Sequence, residues 1–400
     1  MDLSMFKNPS MGELVEISGS GPIGGTWRHR AFVPAPLGDE EPPLSGATYR
    51  AVAAAGRALA ALDATARQLP NPYLLRTPAL RREAQSTSAL EGTYAPLEQV
   101  LTATEDAPAT AEMAEVLNYV TMAEVGFNWV GQGRHITLSL LEDLQGQLMR
   151  GTPLEGQSGH LRDSQVVIGR RDMTDPFVAP ILAARFVPPP PGDRLRNGVE
   201  ALLSWLQQDH AGQIDPVVLA GMAHYQFETL HPFRDGNGRL GRYLIVLTLL
   251  RSGVLSEPTL TVSPWFEARR TEYYDTLLAV STDGNWDGFL SFFASGLADS
   301  ATATRAQILE LVQVQESLRE QVRGSRLRAA HALTVVDLSV ASPALTVRRV
   351  EQATGLSYGR ANNLLGQLVD LGLLKVLNPD SQPRRFVAPA VLEVLLRGGR

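Results

Sequence analysis

His231-Pro232-Phe233-Arg234-Asp235-Gly236-Asn237-Gly238-Arg239-Leu240-Gly241-Arg242 gathers an imidazole, a carboxylate, an amide between two glycines and two guanidinium groups within twelve residues. Glycines at 236 and 238 let the backbone bend and expose its N–H groups. Donors of that kind at the start of a helix form an anion site, because the helix dipole adds to them. The stretch reads as an anion-binding turn that carries a histidine.

Two helices must hold such a turn. Before it, Met222 to Leu230 offers apolar contacts through Met222, Tyr225 and Phe227; after it, Tyr243 to Leu250 is apolar all round, as a buried helix would be. The expected layout is helix, glycine-rich turn, helix. The rest of the chain is read as mainly α. Residues 1–45 are rich in Gly, Pro and Ser and predict an irregular arm. Helices are expected over 47–69, ended by Pro70-Asn71-Pro72, and from Thr77-Pro78 to Leu90, ended by Gly92. Others follow at 109–127, 136–149, 193–209, 216–230, 265–280, 286–297 and 301–322. Between them, Ser164 to Gly169 and Ala183 to Val187 read as a short β-hairpin around a loop containing Pro176 and Pro180. Near the C-terminus, helices capped by Thr346 and Ser357 and separated by Gly355 precede two short strands at 374–377 and 385–387.

Composition narrows the function classes. Four hundred residues with 44% hydrophobic and 20% charged residues fit a globular protein of two or three domains. The absence of cysteine excludes disulfides and thiolate metal sites. A net charge of -6 argues against general coating of nucleic acid. No basic region followed by an apolar one opens the chain, so a secretory signal is not expected. No apolar run approaches the ~20 residues of a membrane span. Lysine occurs only at Lys7 and Lys375, against many arginines and alanines, and a cytoplasmic bacterial protein is expected.

Nine letters of the 231–242 stretch coincide with the signature HPFx(D/E)GNGRxxR of the Fic family. The surrounding chain also resembles Fic proteins in Val166-Val167-Ile168-Gly169, Val187-Pro188-Pro189-Pro190 and Tyr273-Tyr274 through Phe292-Phe293, over roughly residues 45 to 300. The resemblance implies a Fic-fold helical bundle with a β-hairpin flap, and transfer of AMP from ATP to a Ser, Thr or Tyr hydroxyl of a protein. It implies His231 as the base, a role suited to a group that titrates near working pH. Asp235 would hold Mg²⁺, Gly236-Asn237-Gly238 would cradle the α-phosphate, and Arg239 and Arg242 would take the β- and γ-phosphates. His224, seven residues before His231, reads as structural.

Three further features belong to the resemblance. Thr87-Ser88-Ala89-Leu90-Glu91-Gly92 fits the family's inhibitory pattern (S/T)xxxE(G/N), which implies that Glu91 pairs with Arg242 and displaces the γ-phosphate. The hairpin with Val166, Val167, Ile168 and Gly169 would dock a target segment as an added strand. Phe266, Arg269, Arg270, Tyr273 and Tyr274, read as one helix near the site in the family's layout, would either stack on the adenine or pack in the core, with Arg269 the chosen contact.

From His331 onward eight arginines and lysines face five acids, so the C-terminal winged helix-turn-helix outline admits DNA. The organisation expected is an arm (1–45), a helical region with the inhibitory motif (46–105), a catalytic core (106–300), a linking helix (301–330) and a winged helix (331–400). The leading function is a self-restrained protein adenylyltransferase using ATP and Mg²⁺, with a homodimer admitted as a partner state. The alternatives are a DNA-binding regulator with a nucleotide-sensing core, and a Fic enzyme of other chemistry, such as AMP removal or another nucleotidyl transfer.

Overall fold

The computed structural model describes the chain except residues 21–25, 70–72, 104–109, 171–178, 328–329, 380–382 and 398–400, together with the side chains of 73–75, 170 and 330. The expected breaker at Pro70-Asn71-Pro72 and the loop residue Pro176 therefore lie outside the described residues. In chain order the elements are β1 (Gly12–Ser20), β2 (Thr26–Pro34), α1 (Gly46–Arg67), α2 (Tyr73–Leu90), α3 (Leu97–Thr102), α4 (Ala111–Gly131) and α5 (Leu138–Leu148). Next come β3 (Ile168–Arg170), α6 (Pro180–Ala183), β4 (Ala184–Phe186), α7 (Asp193–Gln207), α8 (Pro216–Leu230) and α9 (Asn237–Arg251). Then follow α10 (Ser263–Ala268), α11 (Arg270–Asp283), α12 (Trp286–Gly324), α13 (Ala330–Ala341) and β5 (Ala344–Thr346). The chain ends with α14 (Val347–Thr354), α15 (Tyr358–Asp370), β6 (Lys375–Val376), β7 (Arg385–Val387) and α16 (Pro389–Arg397).

Two compact units result, one from residues 1–57, 121–255 and 265–298, the other from 58–120, 256–264 and 299–400. In the first, α8 and α9 form the centre. Asp215 caps α8 through the Val217 N–H, and Pro216 occupies its first turn, where a missing donor costs nothing. α9 is buried from Asn237 to Leu249. Its Tyr243 hydroxyl donates to the Ala123 carbonyl on α4 at 2.7 Å and its ring lies 5.0 Å from Phe127.

The irregular arm expected over residues 1–45 is corrected here. β1 and β2 pair antiparallel from Gly12↔Pro34 to Ser20↔Thr26. The glycines and prolines that suggested an irregular arm punctuate the strands, and β2 alternates exposed Thr26, Arg28 and Arg30 with half-buried Trp27 and His29 before it reaches buried Ala31 and Phe32. The hairpin packs on the flap: Phe32 lies 5.9 Å from Phe186, its N–H donates to the Val187 carbonyl at 2.9 Å, and Ile181, Ala184, Val167 and Ile168 join the same cluster. The flap strands β3 and β4 are shorter than expected, with Ile168 opposite Phe186 and Val166-Val167 outside the ladder.

Other boundaries also move. α2 begins at Tyr73 and carries Pro78 inside it, because one lost i→i−4 bond does not end an otherwise anchored helix. The expected helix at 265–280 divides at Arg269 into α10 and α11. Expected helices 286–297 and 301–322 are one helix, α12, since Ala298 to Ser300 contains neither Gly nor Pro; the linking helix expected at 301–330 is its second half and stops at Gly324.

In the second unit α2 is fixed by three consecutive buried charges. Arg81 donates to the carbonyls of Val100, Leu101 and Ala103, Arg82 to that of Leu395, and Glu83 accepts from the N–H groups of Val262 and Ser263. Farther on, Thr346 caps α14 through the Arg349 N–H, Gly355 turns the chain at φ 70°, and α15 follows. A three-stranded antiparallel sheet of order β5-β7-β6 completes the region. Helices α13 and α16, which flank it, were not anticipated. Among the described residues no helix is long and apolar enough to cross a membrane.

Candidate active site

α8 ends where His231 takes a left-handed conformation, φ 49° and ψ 61°, the only non-glycine residue at positive φ among those described. Its N–H still closes the helix on Phe227 O at 2.9 Å. A β-carbon in this region is strained, and such strain persists only where the surroundings hold it. The His231 Nδ1 lies 3.3 Å from the Glu228 carbonyl. A carbonyl only accepts, so Nδ1 carries a proton, which makes Nε2 the acceptor nitrogen in the neutral tautomer.

The turn that follows is shaped from inside. Asn237, buried, accepts from the Phe233 N–H and donates to the Phe233 carbonyl, both at 2.8 Å. Both ends of the amide bind the loop's own backbone, so Asn237 holds the curvature of the turn. Gly236 begins α9 at φ 82°, where it adds no side-chain cap, and a β-carbon on it would meet Leu148 Cδ2 at 2.9 Å. The first-turn N–H groups of α9, Gly238 among them, have no intrahelical acceptor. Donors so placed, at the positive end of the helix dipole, are of the kind that favours an anion.

Arg239 and Arg242 are each 1% exposed. Asp235 stands at the loop with its side chain 47% exposed, 3.5 Å from the Arg239 guanidinium, and accepts from the Gly236 N–H at 2.6 Å. No group of three His, Asp or Glu among the described residues is arranged to hold a metal. A lone, half-exposed carboxylate beside an anion cradle fits Mg²⁺, which keeps several waters and takes its remaining oxygens from phosphates.

Arg242 continues into a buried relay. Its guanidinium hydrogen-bonds the Tyr273 hydroxyl, which lies 2.7 Å from His224 Nε2, while His224 Nδ1 meets the Gly241 carbonyl at 2.9 Å. Since Gly241 O can only accept, His224 Nδ1 donates and Nε2 receives the tyrosine proton. Burial lowers the His224 pKa to about 3, the Gly241 bond opposes that shift, and the Arg242 charge adds to it. Burial also pushes the Tyr273 hydroxyl well up. His224 is therefore a neutral structural bridge among α8, α9 and α11, as expected. Tyr273, by contrast, is enclosed rather than on an adenine rim. Arg269, between α10 and α11, lies with its guanidinium 4.2 Å over the Trp265 ring.

Two positioning residues were missed. Arg162, 4% exposed, donates from Nε to the His231 carbonyl at 2.8 Å and from its terminal nitrogens to the carbonyls of Pro189, Ser164 and Leu230. Its own N–H donates to Pro232 O at 3.0 Å. Burial lowers its pKa to about 10, which still leaves it charged at neutral pH. Gln145 donates to the Asp235 carbonyl at 3.1 Å and accepts from the Gly159 N–H. A signal for Gln145 existed: it is a polar residue within the apolar stripe Leu141, Leu144, Leu148 of α5. Arg162 carried none.

Thr87, Glu91 and Gly92 belong to the second unit, at the end of α2. Thr87 is buried, and Glu91 lies one residue beyond the helix on the exposed surface. Gly92 has φ 95°, and the Thr93 N–H closes the turn on Ser88 O at 3.0 Å.

Residues 49–128 match the description "Fic/DOC family N-terminal" and residues 135–249 match "Fic/DOC family". The chain is 34% identical over 193 residues to the protein adenylyltransferase Fic of Aedes aegypti, covering 47% of this chain and 33% of that protein. With the protein of the same name from Drosophila virilis it shares 31% over 164 residues, 41% and 29% of the two lengths. It thus spans about a third of the length of the curated relatives it matches. A Fic family protein from Desulfovibrio desulfuricans has a similar fold, with TM-score 0.55, 24% identity, and coverage of 87% of this chain and 98% of that one.

Proposed function

The chain belongs to the Fic/DOC family by its two consecutive matched regions, and from that premise we propose that it is a protein adenylyltransferase restrained by its own Glu91. The observation that carries the reading is His231, held left-handed between α8 and the glycine turn that opens α9, the helix that bears the buried Arg239 and Arg242. A target hydroxyl attacks the α-phosphorus of ATP. As its oxygen–phosphorus bond forms, the bond to the β-phosphate oxygen breaks, pyrophosphate leaves, and the hydroxyl proton passes to His231 Nε2.

The backbone N–H groups at the start of α9 stabilise the charge that develops on the α-phosphate. Arg239 and Arg242 bind the β- and γ-phosphates, where planar forks match phosphate oxygens. Asp235 would hold Mg²⁺, which when bound neutralises phosphate charge. Arg269 takes the adenine side. The target lies against the flap around Val166, Val167, Ile168 and Gly169, with its backbone added to the Ile168–Gly169 edge.

Glu91 supplies the restraint. Thr87 to Gly92 carries the inhibitory spacing, and a carboxylate on Arg242 would occupy the place of the γ-phosphate and misalign the α-phosphorus. A dimer interface could bias such a pairing. The test is labelling with α-phosphate-labelled ATP and Mg²⁺. Incorporation by Glu91→Gly, absent from His231→Ala, is expected; equal labelling of the histidine variant would overturn the reading.

A further inference from the structure

The region from Ala330 to Arg397 presents a surface that AMP transfer does not use. α15 buries Ala361, Leu364, Leu365 and Leu368. Its opposite face exposes Arg360, Asn363 and Gln367, at the i, i+3, i+7 spacing of one helical stripe. Tyr358, in the first turn of the helix, is 51% exposed. These are the residue types that read base edges: arginine bonds guanine bidentately, and asparagine or glutamine does the same for adenine.

Charge is arranged around that stripe. Arg348 and Arg349 are exposed in the first turn of α14, the helix that packs against α15, and Lys375 is exposed on β6. The acid Asp370 lies at the far end of α15, away from Arg360. On the other flank Arg384, next to β7, donates to Asn362 Oδ1 on α15 at 3.0 Å, which ties the sheet to the base-reading helix. A tight turn at Gly355, φ 70°, sets α14 and α15 at an angle. An α-helix fits the major groove of B-DNA, which is about 12 Å wide.

We propose that this region binds duplex DNA, with the N-terminal half of α15 in the major groove and Arg348, Arg349 and Lys375 on flanking phosphates. The proposal stands apart from the reaction at His231, and its test contains no ATP. The full chain is titrated into a fluorophore-labelled duplex of random sequence, read by fluorescence anisotropy.

At about 50 mM salt the wild type saturates the signal in the micromolar range, and binding weakens steeply by about 200 mM. The double variant Arg348→Glu/Arg349→Glu, whose changes are on the surface, loses at least about tenfold in affinity and flattens the log–log salt slope by about two. Selection from a random duplex pool enriches a sequence with wild type that Arg360→Ala/Asn363→Ala fails to discriminate. Circular dichroism confirms that each variant is folded. A flat titration with the wild type, as a protein-docking surface would give, overturns the proposal. So does binding that the charge reversals leave unchanged.

Discussion

Arg162 Nε donates to the carbonyl of His231 at 2.8 Å, so the backbone of the proposed base is held by a side chain 69 residues earlier. The same guanidinium reaches Ser164 and Pro189, the chain segments that enter and leave the flap. The proposed docking flap and the proposed base are thus joined through one buried cation. Arg162→Ala leaves several carbonyls without their donor. We expect it to lower kcat for AMP incorporation by about ten- to a hundredfold with little change in KM for ATP, because misplacement acts on the reacting geometry. Stability falls by about 2–4 kcal/mol. Arg162→Lys should recover part of kcat, since an ammonium retains charge and fewer donors. Measured in the Glu91→Gly background, an equal loss of kcat in both variants, tracking their melting temperatures, would count against positioning.

His224 sets a pH dependence of folding. Its pKa is about 3 in the folded chain and near 6.5 when unfolded, because burial opposes the charged ring. Between those values the unfolded state binds the extra proton. Stability is therefore fully present above about pH 6.5 and falls as the medium is acidified toward pH 3. Urea titrations at several pH values should give wild type a steeper acid loss than His224→Gln, by about 1.4 kcal/mol per pH unit at most. Parallel slopes would show that His224 is not the titrating group.

What was legible in the sequence follows from where the information lies. The turn at 231–242 carries its chemistry in contiguous side chains, and α8 and α9 around it were readable from apolar runs. Arg162 was not, because its partners are backbone carbonyls, which leave no mark on residue identity. The bonds of Asn237 to the Phe233 backbone were not readable either, because spacing does not show which loop groups an amide meets. The hairpin at Gly12–Ser20 and Thr26–Pro34 was hidden by the glycines and prolines around it. α12 appeared as two helices because a polar patch at Asp299-Ser300 mimicked a boundary without a breaker.

The restraint by Glu91 is tested without knowing the target. Intact-mass spectrometry of Glu91→Gly after incubation with ATP and Mg²⁺ should show addition of one AMP or more, at least about tenfold above wild type, since correct alignment is worth several kcal/mol of barrier. Glu91→Asp, which keeps the charge but shortens the reach, should fall between. Equal incorporation by wild type and Glu91→Gly would remove Glu91 from the mechanism.

Asn237 separates shaping of the cradle from direct phosphate contact. Asn237→Asp keeps an oxygen able to accept from the Phe233 N–H but replaces the donor that meets the Phe233 carbonyl. The new charge is buried and faces that carbonyl, and it would repel a triphosphate bound at the turn. Asn237→Ala removes both bonds without adding charge. If the amide acts by shaping the turn, the alanine variant loses about 1–3 kcal/mol of stability through the unsatisfied Phe233 groups. Its kcat then falls because the α9 N–H groups no longer converge. The aspartate variant should do worse in ATP affinity than the alanine variant, by repulsion alone. If Asn237 instead donated to the α-phosphate, alanine would lower kcat while leaving the melting temperature where it was. Thermal unfolding beside steady-state labelling distinguishes the two, and we expect stability and kcat to fall together.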